Sequence, residues 1–359
     1  MKTNRAKKLK WIQLFSAVTI LSLLFFILTR LDAQLDVQSL FESLRQIPAW
    51  SVALIFALQI VSQLLINIQW YQIAKSFGSP IGFFEMLNIN AGAEIIHVFP
   101  AGHVGCDVYR AVQINCVGNI TTEQSVSIVA IQKLFSLSSF FIISLISMSF
   151  FIRQVPWLQD TSLQLLLFGL LLFALLAIGC MFVIPHQMAS YLRKKTEKKT
   201  SFSLVSKLRA FAITSLEHII YLRKNTKLMA RLIALALSIW LLFPLKLYLL
   251  AVQLMPEINI LYISAATFLS YTVAMIPIFP SGLGGFEATM TGLLLLFGFA
   301  QSNALVISIV FRFATFWFVV GLSFVYMAVY KLVKKSTTNL PCESSSPHIS
   351  PKSEPKSKV

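Results

Sequence analysis

Long stretches without a charged side chain dominate the pattern of hydrophobic and polar positions along this chain. Seven of them, of 18 to 29 residues each, contain no Asp, Glu, Lys or Arg. A helix that crosses a membrane needs about 20 mostly apolar residues. The pattern therefore predicts an all-α polytopic membrane protein with about eight transmembrane helices, at 10–30, 49–75, 123–152, 161–185, 231–254, 259–278, 283–299 and 302–333.

Residues 82–117 are less apolar than these stretches and are interrupted by Pro and Gly within FPAGHVG. Eight crossings bring the C-terminus back to the side of the N-terminus only if this segment enters and leaves the membrane on one face. We therefore expect a re-entrant hairpin here, or a short pair of interfacial helices.

Positive charge is concentrated on one side of the predicted membrane. The formal net charge is +16, with five Lys or Arg in residues 1–10, eleven in 193–231 and six in 331–358. The loops on the opposite side hold only Arg30, Arg45 and Arg153. This distribution follows the positive-inside rule and predicts that both termini are cytoplasmic. No aromatic and basic platform accompanies the charge, so we expect no nucleic-acid partner.

The predicted organisation is one membrane domain over residues 1–335, with a basic cytoplasmic loop at 186–231 and a tail at 336–359. Within the loop, FSLVSKLRAFAITSLEHIIYLRKN places apolar residues at helical spacing among Lys and Arg. This pattern favours a basic amphipathic helix, either lying on the inner leaflet or packed against the end of the bundle. The tail is rich in Ser, Pro and Lys, and we expect it to be disordered.

One short motif occurs twice in the chain. FPAGHVGCD at 99–107 and FPSGLGGFE at 279–287 share Phe, Pro, two Gly and a final acid in the same frame. Pro and Gly interrupt helices, and unwound backbone at membrane depth is tolerated only inside protein or beside a wet cavity. Broken helices at corresponding positions in two halves are a pointer to a transporter's substrate site.

We predict that new helices start at Gly105 and Gly285, with Asp107 and Glu287 in their first turns. The free N–H groups and the positive dipole end of such a helix attract anions. The glycines expected to form the unwound backbone of a binding site are Gly102, Gly105, Gly282 and Gly285.

Cations accompany both motifs. Arg110 shares a helix face with Asp107, and Arg312 lies in the middle of the last predicted helix. An intramembrane charge is costly and usually faces a partner inside the bundle, so we predict the ion pairs Asp107–Arg110 and Glu287–Arg312. Lys133 is a further cation at depth.

Structural explanations remain open for these residues. Each acid could cap its helix, and each Arg could form an ion pair that only orders the bundle. Lys246 follows Pro244 and could snorkel near a kink. His97 and His103 are attributed to loop or packing roles rather than to metal ligation.

The chain contains no enzyme motif of the GxSxG, HExxH, P-loop or GxGxxG type. We therefore expect no catalytic residue, no cofactor and no metal site. Its polar residues suit the binding and movement of an anion better than bond breaking.

The sequence resembles the flippase-like integral membrane proteins related to the N-terminal membrane region of bacterial lysylphosphatidylglycerol synthases. The resemblance spans most of residues 10–333, and its C-terminal block is the more specific part. It is carried by GHVGCDVYRAV (102–112), SIVAIQKLFSL (127–137) and PIFPSGLGGFEATMTGLLLLFG (277–298). The matching residues are Asp107, Arg110, Pro277, Pro280, Gly282, Gly285, Glu287 and Arg312.

Two positions depart from this family. Cys106 stands where a second Gly is usual, and Lys133 stands where Arg is common. The second change gives up the bidentate grip of Arg on phosphate.

The resemblance implies a bundle of eight helices plus a re-entrant segment, in the bacterial cytoplasmic (inner) membrane, that moves a lipid between leaflets. It leaves the lipid open, since relatives are linked to aminoacylated phospholipids, hopanoids and polyisoprenyl-linked sugars. In the synthases a soluble aminoacyltransferase domain follows the membrane part. Residues 336–359 are too short for one, so lysine transfer is not expected from this chain alone.

We expect a transporter of an anionic lipid, either a phospholipid or a polyisoprenyl-linked lipid. Arg110, Lys133 and Arg312 would hold the phosphate, while Asp107 and Glu287 position those cations or carry a proton. One alternative is a membrane enzyme or accessory subunit of lipid-linked aminoacyl or glycosyl transfer. Another is a scaffold that recruits a soluble synthase through its basic loop. A homo-oligomer is compatible with each of these readings.

Overall fold

The computed structural model describes residues 37–99, 102–151, 203–275 and 282–335, together with Gly169, Leu172, Leu176 and Gly179. All regular structure in these ranges is helical, as predicted. A π-helical turn at Phe313–Trp317 joins the last two helices. The helices are α1 (Val37–Gln46), α2 (Ala49–Ser76), α3 (Phe83–Ile96), α4 (Gly102–Gly118), α5 (Thr122–Phe151), α6 (Ser203–Lys224), α7 (Thr226–Leu254), α8 (Ile260–Ala274), α9 (Gly285–Leu296), α10 (Gln301–Arg312) and α11 (Phe318–Lys335).

Four of the described helical stretches are long and apolar enough to cross a membrane. They agree closely with predicted spans, and they are Ala49–Ser76, Thr122–Ser149, Thr226–Leu254 and Gln301–Val333. α7 begins before its predicted start at 231 because Asn225 caps it, accepting a hydrogen bond from the Leu228 N–H at 3.2 Å.

Two predicted spans fall largely or wholly on residues that the structure does not describe. The span at 10–30 lies outside the described residues, as does the tail at 336–359. Only four residues of the span at 161–185 are described, and all four are helical.

The first broken segment forms a hairpin of two short helices, α3 and α4. Glu85 caps the start of α3, because its Oε2 accepts from the Gly82 N–H at 3.1 Å. Gly92 lets the two helices approach closely, since a Cβ at this position would collide with the ring of Tyr109. Residues 82–117 therefore contain two packed helices, of 14 and 17 residues, rather than one spanning helix.

The second broken segment also joins two short helices, although spans were predicted at 259–278 and 283–299. α8 has 15 residues and α9 has 12. At about 1.5 Å per residue, these lengths correspond to roughly 22 and 18 Å, less than the ~30 Å hydrocarbon core. α8 ends at Ala274, well before its predicted end. Pro277 explains this, because a proline disfavours helix in the residue before it and cannot donate an N–H.

The two hairpins start from opposite ends of the bundle. α2 and α7 run antiparallel, since Ser51 hydroxyl donates to the Leu249 carbonyl at 3.2 Å and the Gln69 amide donates to the Leu232 carbonyl at 3.4 Å. One hydrophobic cluster includes Trp70 and surrounds the α3–α4 hairpin, near the C-terminal end of α2. The other surrounds the α8–α9 hairpin, near the N-terminal end of α2.

Two helices flank this bundle. α1 was not predicted, since 30–47 was treated as a loop; it packs against α10. α6 confirms the amphipathic helix predicted in the basic loop. It packs on α5, where the hydroxyl of Ser215 donates to that of Ser127 at 3.0 Å, and its buried apolar face includes Leu216, Ile219 and Leu222. This arrangement matches the alternative in which the helix packs against the end of the bundle.

Candidate functional site

Arg110 is the centre of a first ion cluster, formed where α4 packs on α3. Its side chain is only 7% exposed. It donates to Glu94 Oε1 at 2.9 Å and to Asn90 Oδ1 at 3.1 Å. Asp107 Oδ1 lies 3.5 Å from Nη1, which confirms the predicted pair. The guanidinium carbon is 5.1 Å from the centroid of the Trp70 ring. Oxygen atoms and one aromatic face thus fix the guanidinium orientation.

Lys133 extends this cluster towards the surface. Its Nζ lies 3.2 Å from Asp107 Oδ2, and its side chain is 39% exposed. Asp107 also lines a groove of about 360 Å³ between α4 and α5, which runs to Asn115 and Thr122. The cluster therefore has an enclosed cation, Arg110, and a more accessible one, Lys133.

Arg312 and Glu287 form the second cluster. Arg312 Nε lies 3.3 Å from Glu287 Oε1, as predicted, and the Arg312 side chain is 7% exposed. Glu287 Oε2 accepts from the Gly284 N–H at 2.7 Å. The guanidinium carbon is 4.9 Å from the centroid of Phe286 and 4.5 Å from that of Phe316. Glu287 is thus both a helix cap and the partner of an Arg on another helix.

Phe316 lies between the two clusters. The ring of His97, at the end of α3, is 5.8 Å from the Phe316 ring, and His97 Nδ1 is 3.9 Å from Glu94 Oε2. Arg312 covers the same phenyl ring, as described above. The described residues of the two broken segments therefore meet around one aromatic side chain, near the middle of the 33-residue stretch Gln301–Val333.

The predicted start of the first new helix is wrong. α4 begins at Gly102 rather than Gly105, so Asp107 lies beyond the first turn. Glycine does not by itself end a helix, and proline is well tolerated at a helix start, so the helix can begin soon after the Pro of the motif. Gly105 serves packing instead: a Cβ there would lie 3.2 Å from Ile96 Cγ2.

The second motif uses its glycines as predicted for a helix break. α9 begins at Gly285, after Gly284 with a φ of +82°. Gly282 has a φ of +71°, and a Cβ there would lie 2.6 Å from the Cβ of Ala274. Only glycine fits this turn, which folds the chain back against the end of α8.

Two residues that matter were underestimated from the sequence. Glu94 was given no role from the sequence, but it makes the shortest contact to Arg110. An acid within a membrane segment was the available signal. Lys246 does not snorkel as suggested; it is fully buried and donates to Gln59 and Ser62.

Comparison with known proteins agrees with these features. The family model described as the lysylphosphatidylglycerol synthase TM region matches residues 13–323, which include both clusters. No protein in a search of curated sequences matches the chain.

Proposed function

The chain belongs to the lysylphosphatidylglycerol synthase TM region family, and on this premise we propose that it moves an anionic lipid between membrane leaflets. Family membership and four described helical stretches long and apolar enough to cross a membrane support a membrane protein with a lipid-related role. The observation that carries the proposal is the pair of ion clusters on either side of Phe316, in the middle of the bundle.

The three cations are suited to hold a lipid phosphate in turn. Lys133 is the most accessible and would make the first contact, beside Asp107, which lines the α4–α5 groove. Arg110 and Arg312 are enclosed, and the planar guanidinium can bind phosphate through two parallel hydrogen bonds. A phosphate would replace carboxylate partners, which keeps each cation paired throughout.

The geometry favours a positioning role for the two motif acids. Asp107 contacts Arg110 through one oxygen and Lys133 through the other. Glu287 contacts Arg312 through one oxygen and the Gly284 N–H through the other. Each carboxylate thus uses both oxygens to hold a cation or a helix end, which favours a positioning role over that of a general base. This supports binding and transport over the enzyme alternative.

The proposed route passes between hairpins that enter from opposite faces. If both hairpins are re-entrant, the spanning segments number six, counting the predicted helices at 10–30 and 161–185. This count still leaves both termini in the cytoplasm, as the charge pattern requires. The α3–α4 hairpin would face the cytoplasm and the α8–α9 hairpin the opposite side. A head group could then pass Phe316 while its tails stay in lipid.

Reconstitution into vesicles of phosphatidylcholine with a fluorescent phosphatidylglycerol tests this function. Loss of fluorescence after adding an impermeant quencher outside reports the fraction of probe that has changed leaflet. Wild type should move the probe well above protein-free vesicles, and Arg312→Ala should return to that background. Arg45→Ala is the matched control, because Arg45 is an exposed cation of α1 outside both clusters.

Equal transport by Arg312→Ala and wild type would show that the second cluster is not the site. The lipids are then extracted and analysed for mass. A chemically altered probe, rather than a relocated one, would favour the enzyme alternative.

A further inference from the structure

Lys246 lies within α7 in a closed pocket that belongs to neither ion cluster. Its side chain is fully buried. Nζ donates to Gln59 Oε1 and, at 3.1 Å, to Ser62 Oγ, both on α2. The Phe243 ring covers a further side, with its centroid 4.1 Å from Nζ. The pocket therefore offers two neutral oxygen atoms and one aromatic face.

No carboxylate among the described residues pairs with Lys246, unlike the cations of the clusters. On α8 the ring of Tyr271 contacts Phe243, and on α10 Arg312 is paired with Glu287. Among the residues whose side chains the structure describes, the charged or titratable groups on the helices that pack against α7 are Glu42, Arg45, Tyr71, Lys75, Glu123, Lys133, Glu217, His218, Tyr221, Arg223, Lys224, Tyr262, Tyr271 and Arg312.

The hydrogen bonds of the pocket accommodate both protonation states of an amine. The Ser62 hydroxyl donates its own proton to the Leu58 carbonyl at 2.9 Å, so it accepts from Lys246. The two N–H groups of a neutral amine thus match the two acceptors, Ser62 and Gln59. The third N–H of the charged form can point towards the Phe243 ring, which lies in a favourable position for a cation.

A permanent charge without a counter-ion at this depth is costly, whereas a group that can release its proton avoids that cost. We propose that Lys246 is a proton-binding site that couples lipid movement to a transmembrane pH gradient. The amine takes a proton from one aqueous side and releases it to the other, with no other bond changed. The coupling to lipid rests on the proposed function, but proton binding does not.

A packed row of rings joins this pocket to the second cluster. The centroid of Tyr271 is 5.2 Å from that of Phe243 and 5.0 Å from that of Phe286. Phe286 in turn lies under the Arg312 guanidinium. Adding or removing the charge over Phe243 can therefore bias the position of Arg312 through contiguous contacts.

The first test measures proton binding without transport. Wild type and Lys246→Met are placed in nanodiscs of phosphatidylcholine, and each melting temperature is measured between pH values of about 6 and 9. If Lys246 exchanges a proton, the difference between the two proteins should change by at least about 3 °C over this range. The control is Lys133→Met, a carboxylate-paired lysine, whose difference from wild type should stay constant. A constant difference for Lys246→Met overturns the proposal.

The second test measures coupling in the vesicle assay. A gradient of about one pH unit should shift the distribution of probe between leaflets by up to tenfold for one proton per lipid. Lys246→Met should abolish this shift. A gradient response that survives in the variant overturns the coupling. A pH-dependent stability difference without any lipid movement by wild type would instead reject the proposed function and leave the proton site standing.

Two further variants guard against a misfolded Lys246→Met. Lys246→Arg keeps a side chain that stays protonated at these pH values. Its melting temperature should therefore change with pH differently from that of wild type, and it should show no gradient response. Gln59→Leu keeps the lysine and removes one acceptor. It should weaken the gradient response, and an unchanged response in both variants overturns the proposal.

Discussion

The two ion clusters start from nearly the same nine-residue frame, yet they hold their arginines differently. Arg110 contacts two carboxylates and the Asn90 side chain, with one aromatic ring, that of Trp70, against its guanidinium. Arg312 has a carboxylate partner in Glu287 and lies against two aromatic rings. The first cluster also reaches an accessible groove, whereas the second lies within the hydrophobic core around Phe311 and Phe286.

The difference follows from the residue that lies three positions after each acid and from the place of the acid in its helix. Asp107 lies beyond the first turn of α4 and has Arg110 three residues later on the same helix. The residue three positions after Glu287 is Met290, so Glu287, in the first turn of α9, caps that helix and pairs with an Arg on α10. The same frame thus holds a local ion pair in one motif and an ion pair between two helices in the other.

The largest expected effect comes from the number of cations available to the carboxylates of each cluster. Arg312→Met should destabilise the protein by about 3–5 kcal/mol, because Glu287 then lacks its cation. Arg110→Met should cost less, since Asp107 keeps Lys133 and Glu94 keeps His97 nearby. Denaturant unfolding in detergent micelles measures both values.

Adding Glu287→Gln to Arg312→Met should recover part of the lost stability, because no unpaired carboxylate remains. If Arg110→Met is the more damaging change, the two clusters do not differ as described.

Removing the ring between the clusters should have the next largest effect. Phe316 is buried, and Phe316→Ala should cost about 3 kcal/mol from the cavity and the lost ring contacts. Phe313→Ala is the control: that side chain is 52% exposed, so its loss should stay within about 0.5 kcal/mol. Equal melting temperatures for the two variants would argue against a meeting point at Phe316.

The glycines of the two motifs should respond in opposite ways. Gly282→Ala should cost about 2 kcal/mol, because the positive φ is strained for alanine and its Cβ would meet Ala274. Gly105→Ala should be near neutral, because helix propensity gains up to ~1 kcal/mol while the Cβ is only tight against Ile96. Thermal unfolding of both variants checks this order, and an equal loss of stability would contradict it.

The smallest expected effect tests the end of the bundle beside the first hairpin. His218 of α6 hydrogen-bonds to the Ser76 hydroxyl at 2.7 Å and stacks on Phe77. Burial lowers the pKa of His218 from 6.5 to about 4. The unfolded chain therefore binds a proton at higher pH than the folded one, and stability present above pH 6.5 is lost as the pH falls towards 4.

Because His218 is partly exposed, the loss should be only about 1 kcal/mol after solvent screening. The variant His218→Phe keeps a ring on Phe77 and does not titrate. The stability advantage of wild type over this variant should shrink between neutral and acidic pH. If the stabilities of wild type and His218→Phe change with pH in parallel, the histidine is solvated in the folded protein.

Much of the fold could be predicted from local sequence pattern. The apolar run at 134–152 and its polar flank predicted the bounds of α5 closely, because hydropathy and cap signals are local. The division between α8 and α9 was harder to place, because residues 258–286 form one uncharged run. A hydropathy window covers the whole of this run and does not register a break set by Pro277 and by the fold-back at Gly282.

The candidate site was predictable where its contacts are local or its charges are few. Asp107 and Arg110 are three residues apart on a helix, and Glu287 and Arg312 are the sparse charges of their region. The Glu94 contact and the place of Phe316 depend on how the α3–α4 hairpin closes against α11. Such contacts are set by tertiary packing, which one sequence does not specify.

The most direct test of the central claim, one lipid path through both clusters, is the vesicle assay with Arg110→Met, Arg312→Met and the double variant side by side. The account predicts that each single variant loses lipid movement and that the double variant is no worse than either. Arg45→Met should move lipid like wild type. Normal movement by either single variant, with the protein folded in the vesicles, would contradict the account.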